Sequence, residues 1–332
     1  MILSAIALTT VVLGNLSQSP GDVLTKLPAY QPKAEQGDFA IGPDYKNAPE
    51  LTERGGVPKG RVFKFTMLST ESLMYPGISK TAPAGEIVPY QRKVSVYVPS
   101  QYESGSAAPY LITQDSMGQG ILPAILDNMI ADHRIPAVVA IMIDSGGSDS
   151  KGSERGLEYD TLSGGYAEFV EAEVLPRVEK ECGVKLTKDP NARMTMGGSS
   201  GGACAFSMAW YRPDLYHRVI TYSGTYVNQQ WPPNPQTPHG AWEYHENLIA
   251  AAKRKPLRVW MEVGENDFRN NEPESTLHNW VMANQRMAQV LKTKGYPYQF
   301  LFARGAGHVD YKVLCQTLPQ ALEWVWKGYR AK

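Results

Sequence analysis

Arg193-Met-Thr-Met-Gly-Gly-Ser-Ser-Gly-Gly202 is the stretch on which the reading of this chain turns. A short apolar strand ends in glycine, a serine follows, and small residues open a helix. In the form Gly-x-Ser-x-Gly this is a nucleophile elbow, a tight strand-to-helix turn that lifts a serine Oγ clear of a sheet. Glycine suits such a turn because unusual φ values and close strand–helix approach leave no room for a Cβ. Two registers fit: Ser199 lies between Gly197 and Gly201, and Ser200 between Gly198 and Gly202. Ser199 is favoured, since it sits nearer the strand end and leaves two glycines to pack the start of the helix. Ser200 would then give its backbone N–H to an oxyanion. A glycine-serine turn without chemistry is the alternative; a phosphate loop fits poorly, because no lysine follows the glycines.

Outward from the elbow, strand-like and helix-like segments alternate. Arg61–Met67 and Arg92–Val98 alternate in polarity as strands do, while Pro109–Gln114 and Ala137–Ile143 are short apolar runs typical of strands buried on both faces. Helical spacing falls at Gly120–Ile130 and Ala167–Val178, and the helix Gly201–Trp210 follows the elbow. Strands are predicted at Arg218–Tyr222, Leu257–Val263 and Tyr298–Phe302, with a helix at Trp280–Leu291. A last helix is read as beginning near Thr317, where Thr317 and Gln320 have capping-box spacing and Pro319 occupies the first turn. This order implies a mostly parallel central sheet with helices on both faces, the α/β-hydrolase fold, with its chemistry along one edge. The catalytic domain is placed at residues 61–332. Residues 21–60, rich in proline, glycine and aspartate, form an N-terminal arm wrapped on the surface.

A serine needs a base, and the base an orienting acid. In this fold the chain order is Ser, then Asp or Glu, then His. After the strand ending at Val263 comes Gly264-Glu-Asn-Asp-Phe268, and Asp267 is the preferred acid, ahead of Glu265 and of Glu262 within the strand. A glutamate in a buried strand is expected to have a structural partner. After Phe302 comes a glycine-rich turn ending in His308, the expected base. The second oxyanion donor is expected from Asp115-Ser116-Met117-Gly118, by the N–H of Ser116 or Met117, with Asp115 either holding the loop by hydrogen bonds or serving as a simple turn aspartate. The irregular stretch Tyr226–Tyr244 carries Trp231, His239 and Trp242; these are candidate substrate contacts, with plain surface packing the alternative.

Composition narrows the remaining classes. Lysine plus arginine balance aspartate plus glutamate at 33 each, so no global field favours nucleic acid or an anionic membrane. Residues 1–20 carry no charge, and the run Leu8–Leu13 is too short to span a bilayer. The run has the character of a secretory signal without the usual basic residue before it, so a secreted or periplasmic protein is expected; a simple N-terminal tail is the alternative. Cys182, Cys204 and Cys315 allow one disulfide at most, and Cys204 reads as a buried thiol. Nothing has zinc-like spacing, and no cofactor or metal is expected. The expected partner is a small-molecule or glycan-linked ester.

These residues resemble the enterochelin-esterase-like, or "putative esterase", family of α/β-hydrolases, which includes siderophore and feruloyl esterases. The resemblance covers roughly residues 60–328. It rests on Gly197–Phe206, which fits Gly-x-Ser-x-Gly-Gly and supports Ser199, and on Trp210–Asp214, Arg155–Asp160, Gly264–Asp267 and Gly305–His308. It implies a cofactor-independent serine esterase acting on a siderophore-like, hydroxycinnamoyl or similar bulky ester, with Arg155 and Glu158 as structural supports beside the site. Related acyltransferases and a non-catalytic binding protein on the same scaffold are the rivals. Family members often have glycine after the aspartate matching Asp115; here it is Ser116, so the oxyanion loop is expected to differ in shape.

Overall fold

A computed structural model describes residues 24, 26–31, 35–78, 83, 85–147 and 154–330. The signal-like residues 1–20 lie outside the described residues. The main sheet has nine strands: β1 (Gly37–Ile41), β2 (Arg61–Leu68), β3 (Gln91–Val98), β5 (Tyr110–Gln114), β6 (Val139–Ile143), β8 (Arg193–Gly198), β9 (Arg218–Tyr222), β10 (Arg258–Gly264) and β11 (Tyr298–Ala303). Two-residue strands β4 (Ala107–Ala108) and β7 (Lys185–Leu186) pair separately. The order across the main sheet is β1-β11-β10-β9-β8-β5-β6-β3-β2. Strand β3 runs antiparallel to both neighbours, and all the other pairings are parallel.

Residue character explains the layering. Strands β5, β6 and β9 are buried at every position, as parallel strands covered on both faces must be. In β6, Val139, Ile141 and Ile143 face one core with Phe169, Val174, Phe206 and Met287. Ala140 and Met142 face the other, with Leu122, Ile125, Leu318 and Leu322. The helices covering the first face span 155–182, 200–211 and 280–293, and those on the second span 122–131 and 311–326. Edge strand β2 instead alternates half-buried and exposed positions.

Three local features depart from the sequence reading. The helix expected over Ala167–Val178 runs from Gly165 to Cys182 and contains a π-turn at Val170–Val174, just before Pro176. A proline there has no N–H for the regular ladder, and the wider turn absorbs the defect. The last helix is Tyr311–Trp326, capped by the Asp310 side chain accepting from the Lys312 N–H, so Thr317 and Pro319 lie inside it and not at its start. The Cys315 carbonyl, four residues before Pro319, accepts the Ala48 N–H at 3.1 Å instead of an intrahelical donor. Residues of the arm thus fill the acceptor that proline leaves open. The arm also supplies β1, an added edge strand parallel to β11. No helix among the described residues is long and apolar enough to cross a membrane.

Candidate active site

Because β5, β8, β10 and β11 run in one direction, Gln114, Gly198, Gly264 and Ala303 end on the same edge, and the segments that follow them meet there. Ser199 directly follows β8 with φ 56° and ψ −130°, a conformation that costs a non-glycine residue about 1–3 kcal/mol. Main-chain hydrogen bonds hold it. Its N–H donates to Tyr222 O at 3.0 Å, and its carbonyl accepts from Gly202, Ala203 and Thr225 N–H at 2.9, 3.1 and 3.0 Å. Glycine is required beneath the turn: a Cβ on Gly197 would lie 2.3 Å from the Gly201 carbonyl carbon.

The two serines diverge. Ser199 lines a cavity of about 840 Å³, and its Oγ lies 3.3 Å from Thr225 Oγ1. Ser200 is 2% exposed, and its Oγ accepts from Gln229 Nε2 at 3.1 Å, a side chain that also donates to Asp160 at 2.8 Å. Ser200 begins the helix Ser200–Tyr211, so its N–H belongs to the first turn, where no intrahelical acceptor exists.

His308 lines the same cavity, and its Nδ1 is 2.6 Å from Asp267 Oδ1. Asp267 is fully buried at its side chain, and the same Oδ1 accepts the Phe268 N–H at 2.7 Å. Facing a carboxylate oxygen, Nδ1 carries the ring proton and donates it, which leaves Nε2 as the acceptor. The two loops are in backbone contact: a Cβ on Gly264 would fall 2.3 Å from Gly307 O. The histidine loop also reaches the elbow, because a Cβ on Gly198 would meet Val309 Cγ1 at 2.9 Å. Glu265 has a separate task, its Oε2 accepting the Gly305 N–H at 2.7 Å and so bracing the histidine loop. Glu262 is buried within β10, and the partner expected for it is missing: neither carboxylate oxygen has one among the described residues. Burial first, then the nearby Asp267 and Asp310 charges, push its carboxyl well above the usual range.

The loop after β5 differs from the expectation. Asp115 and Ser116 both have left-handed φ, 53° and 48°, so serine occupies a conformation that glycine would adopt without strain. The Ser116 N–H donates to Ile143 O at 3.0 Å and the Met117 N–H to Gln114 O at 3.1 Å. As a correction, both groups named as second oxyanion donors are thus engaged with main-chain carbonyls, although Met117 does line the cavity. Asp115 holds Arg155, with Nη2 to Oδ2 at 3.0 Å, and both line the cavity. Glu158 is buried against Arg92 and accepts the Gly146 N–H at 3.0 Å.

Gln91, Lys93, Asp144 and Ser145 add polar groups to the wall of the cavity, and Val309 an apolar one. Trp231, His239 and Trp242 are not among its lining residues. Trp242 is buried, with the Arg286 guanidinium 5.2 Å from its ring, Trp231 is half-buried with its carbonyl held by Thr161 Oγ1 at 2.7 Å, and His239 pairs with Glu246 at 2.7 Å. The stretch from Tyr226 to Tyr244 turns inward at both ends, where Tyr226 and Tyr244 pack on Phe206. His239, Glu243 and Glu246 could together face a cation, but Glu243 already accepts from Asn247 at 2.6 Å and His239 is bonded to Glu246. A larger cavity, about 970 Å³, lies between the arm and the last helix around Tyr30, Lys46, Gln320 and Trp324, and neither Ser199 nor His308 lines it. Thr225 and Phe268 escaped the sequence reading; the one signal was adjacency, to the end of β9 and to Asp267.

The model of the "Putative esterase" family matches residues 85–324. The uncharacterized protein YbbA of Bacillus subtilis (strain 168) is 24% identical over 255 residues, covering 72% of this chain and 94% of that protein. Among solved structures, the enterobactin esterase FES from Shigella flexneri is similar with a TM-score of 0.58 at 18% identity, over 86% of this chain and 63% of that one. The chain therefore spans less than two thirds of that protein's length. A ferulic acid esterase from the anaerobic fungus Anaeromyces mucronatus is similar with a TM-score of 0.58 at 16% identity, over 85% of this chain and 98% of that one. With the family model covering most of the chain, and an α/β sheet carrying a serine elbow at its edge, the protein belongs to the "Putative esterase" family and is a carboxylic ester hydrolase.

Proposed function

We propose that the protein is a serine esterase working through an acyl-enzyme, with Ser199 as nucleophile, His308 as general base and then acid, and Asp267 as the group that fixes the imidazole tautomer. One observation carries this reading: the His308–Asp267 hydrogen bond of 2.6 Å belongs to a histidine that lines the same cavity as the strained Ser199. In the first step Ser199 Oγ attacks the ester carbonyl while its proton passes to His308 Nε2. The oxyanion takes the Ser200 N–H, aided by the positive end of the helix that Ser200 begins. The leaving alcohol receives the proton from His308, and water repeats the sequence in reverse to free the acid. For substrate we favour a bulky ester of the kind for which similar solved esterases are named, enterobactin or a ferulic acid ester. Export from the cytoplasm rests on the uncharged residues 1–20 alone.

Labelling with a fluorophosphonate followed by peptide mass spectrometry tests the nucleophile. Ser199→Ala should abolish labelling and lower kcat by at least ~10³-fold on any ester turned over. Ser200→Ala should keep kcat within a few-fold. Reversed outcomes would move the nucleophile to Ser200, and a wild-type protein inert to the probe would remove the serine mechanism. Product analysis with water against sugar or alcohol acceptors separates hydrolysis from acyl transfer.

A further inference from the structure

Phe268 is 53% exposed, unusual for a phenylalanine, and its ring packs between His308 and the edge of Trp280. The phenyl lies on the His308 imidazole with centroids 3.9 Å apart and planes 20° from parallel. Trp280 meets both rings edge-on, at 5.6 Å from Phe268 and 6.2 Å from His308. The backbone of the same residue touches the acid: the Phe268 N–H donates to Asp267 Oδ1 at 2.7 Å, the oxygen that also takes His308 Nδ1 at 2.6 Å. Its carbonyl accepts the Trp280 N–H at 3.2 Å, tying the segment to the helix Trp280–Thr293. One residue thus grips the acid–base pair twice, by N–H on the carboxylate and by π-face on the imidazole.

We propose that Phe268 is a positioning residue for His308, holding the imidazole plane and favouring the imidazolium that forms as the ring takes the Ser199 proton. This rests on the reading of His308 as the base. The negative face of an aromatic ring attracts a cation lying over it, and at an exposed site the attraction amounts to roughly two- to fivefold in an equilibrium or rate. Because the positive charge develops on the way to the transition state and is absent from the resting complex, the effect falls on kcat and leaves KM alone. Burial of hydrophobic area is a poor alternative explanation for a ring so exposed.

The test replaces Phe268 with phenylalanines carrying one, two and three ring fluorines, which drain the π-face while nearly preserving shape. With a p-nitrophenyl ester, kcat should fall stepwise, about two- to fivefold in all, at constant KM. Phe268→Leu should fall at least as far, and Phe268→Trp should match the wild type. In the free protein, the His308 ring signals followed by NMR should titrate at progressively lower pH along the fluorinated series. A flat series, or a leucine variant as active as wild type, would reduce the ring to packing and overturn the proposal. If the wild type neither hydrolyses esters nor is labelled at Ser199, the esterase reading fails by itself, and the NMR series still upholds or overturns the stacked-ring claim.

Discussion

A buried carboxyl with no hydrogen-bond partner should avoid being charged, and Glu262 is that group here. It sits opposite Tyr222 and Leu301 in the adjoining strands, with Trp260 two residues before it on the same face. Burial raises its carboxyl well above the usual range, so the folded chain keeps a proton that the unfolded chain releases near pH 4.5. The sign follows: above that pH the native state binds more protons than the unfolded one, and stability falls as pH rises. Glutamine copies the neutral acid in size and polarity without titrating. Glu262→Gln should therefore gain on the wild type as pH rises, the gap in urea midpoint being wider at pH 8 than at pH 5. A gap unchanged across that range would mean that Glu262 is charged in the fold. The same contrast separates the two buried acids at the end of β10 and just beyond it, since Asp267, accepting two hydrogen bonds, has what Glu262 lacks.

Between elements, the contact that matters most is the elbow strand against the helix it feeds. Gly197→Ala would put a Cβ 2.3 Å from both the carbon and oxygen of Gly201, forcing apart β8 and the helix Ser200–Tyr211. Backbone cannot yield as a flexible side chain can, so a loss of several kcal/mol, on the order of a large core lesion, is expected in urea unfolding. Gly307→Ala is the control: nothing lies within 4 Å of its Cβ, and stability should stay within about 0.5 kcal/mol. An unaffected Gly197→Ala would show that the turn can open. These contrasts also mark what the sequence made legible. The strands after which Ser199, Asp267 and His308 stand are short, largely apolar and run into glycine-containing turns, so local pattern reveals them. The start of the last helix was misplaced because Thr317 and Pro319 look like a cap, while the tertiary bond from Ala48 to Cys315 makes proline tolerable inside it. Strand β1 eluded the period because its five residues, Gly-Asp-Phe-Ala-Ile, alternate weakly and owe their conformation to β11. Cavity walls were the least legible. Trp231, His239 and Trp242 look like pocket residues by composition, yet the wall is built by Gln91, Lys93, Asp144 and Arg155 from segments distant in sequence.

At the scale of the whole molecule, the face that carries helix Trp280–Thr293 is tied to the site through a buried histidine. His245 Nε2 is 3.0 Å from Tyr226 O, and its Nδ1 accepts from Arg286 Nε at 3.2 Å, so the ring is neutral with its proton on Nε2. Tyr226 follows Thr225, whose N–H holds the Ser199 carbonyl, and Arg286 lies on the helix that also bears Trp280. Burial, then the Arg286 charge, push the His245 imidazole down to about 3. Unfolded, the same ring takes a proton near pH 6.5. Between those two values the unfolded chain binds the extra proton, so stability falls as pH drops from about 6.5 toward 3, with full stability above 6.5. A charged ring would also face the Arg286 guanidinium, which has no means of losing its own proton. His245→Gln keeps a donor and an acceptor but cannot titrate. It should lower stability at pH 7 through imperfect packing, yet lose less than the wild type on moving to pH 5, so the two unfolding midpoints converge. Parallel loss in both proteins between pH 7 and pH 5 would place the acid sensitivity elsewhere and leave His245 a packing residue. Convergence would mean that proton uptake by this ring in the unfolded chain drives the acid loss, with the folded His245 staying neutral and bonded to Tyr226 O across that range.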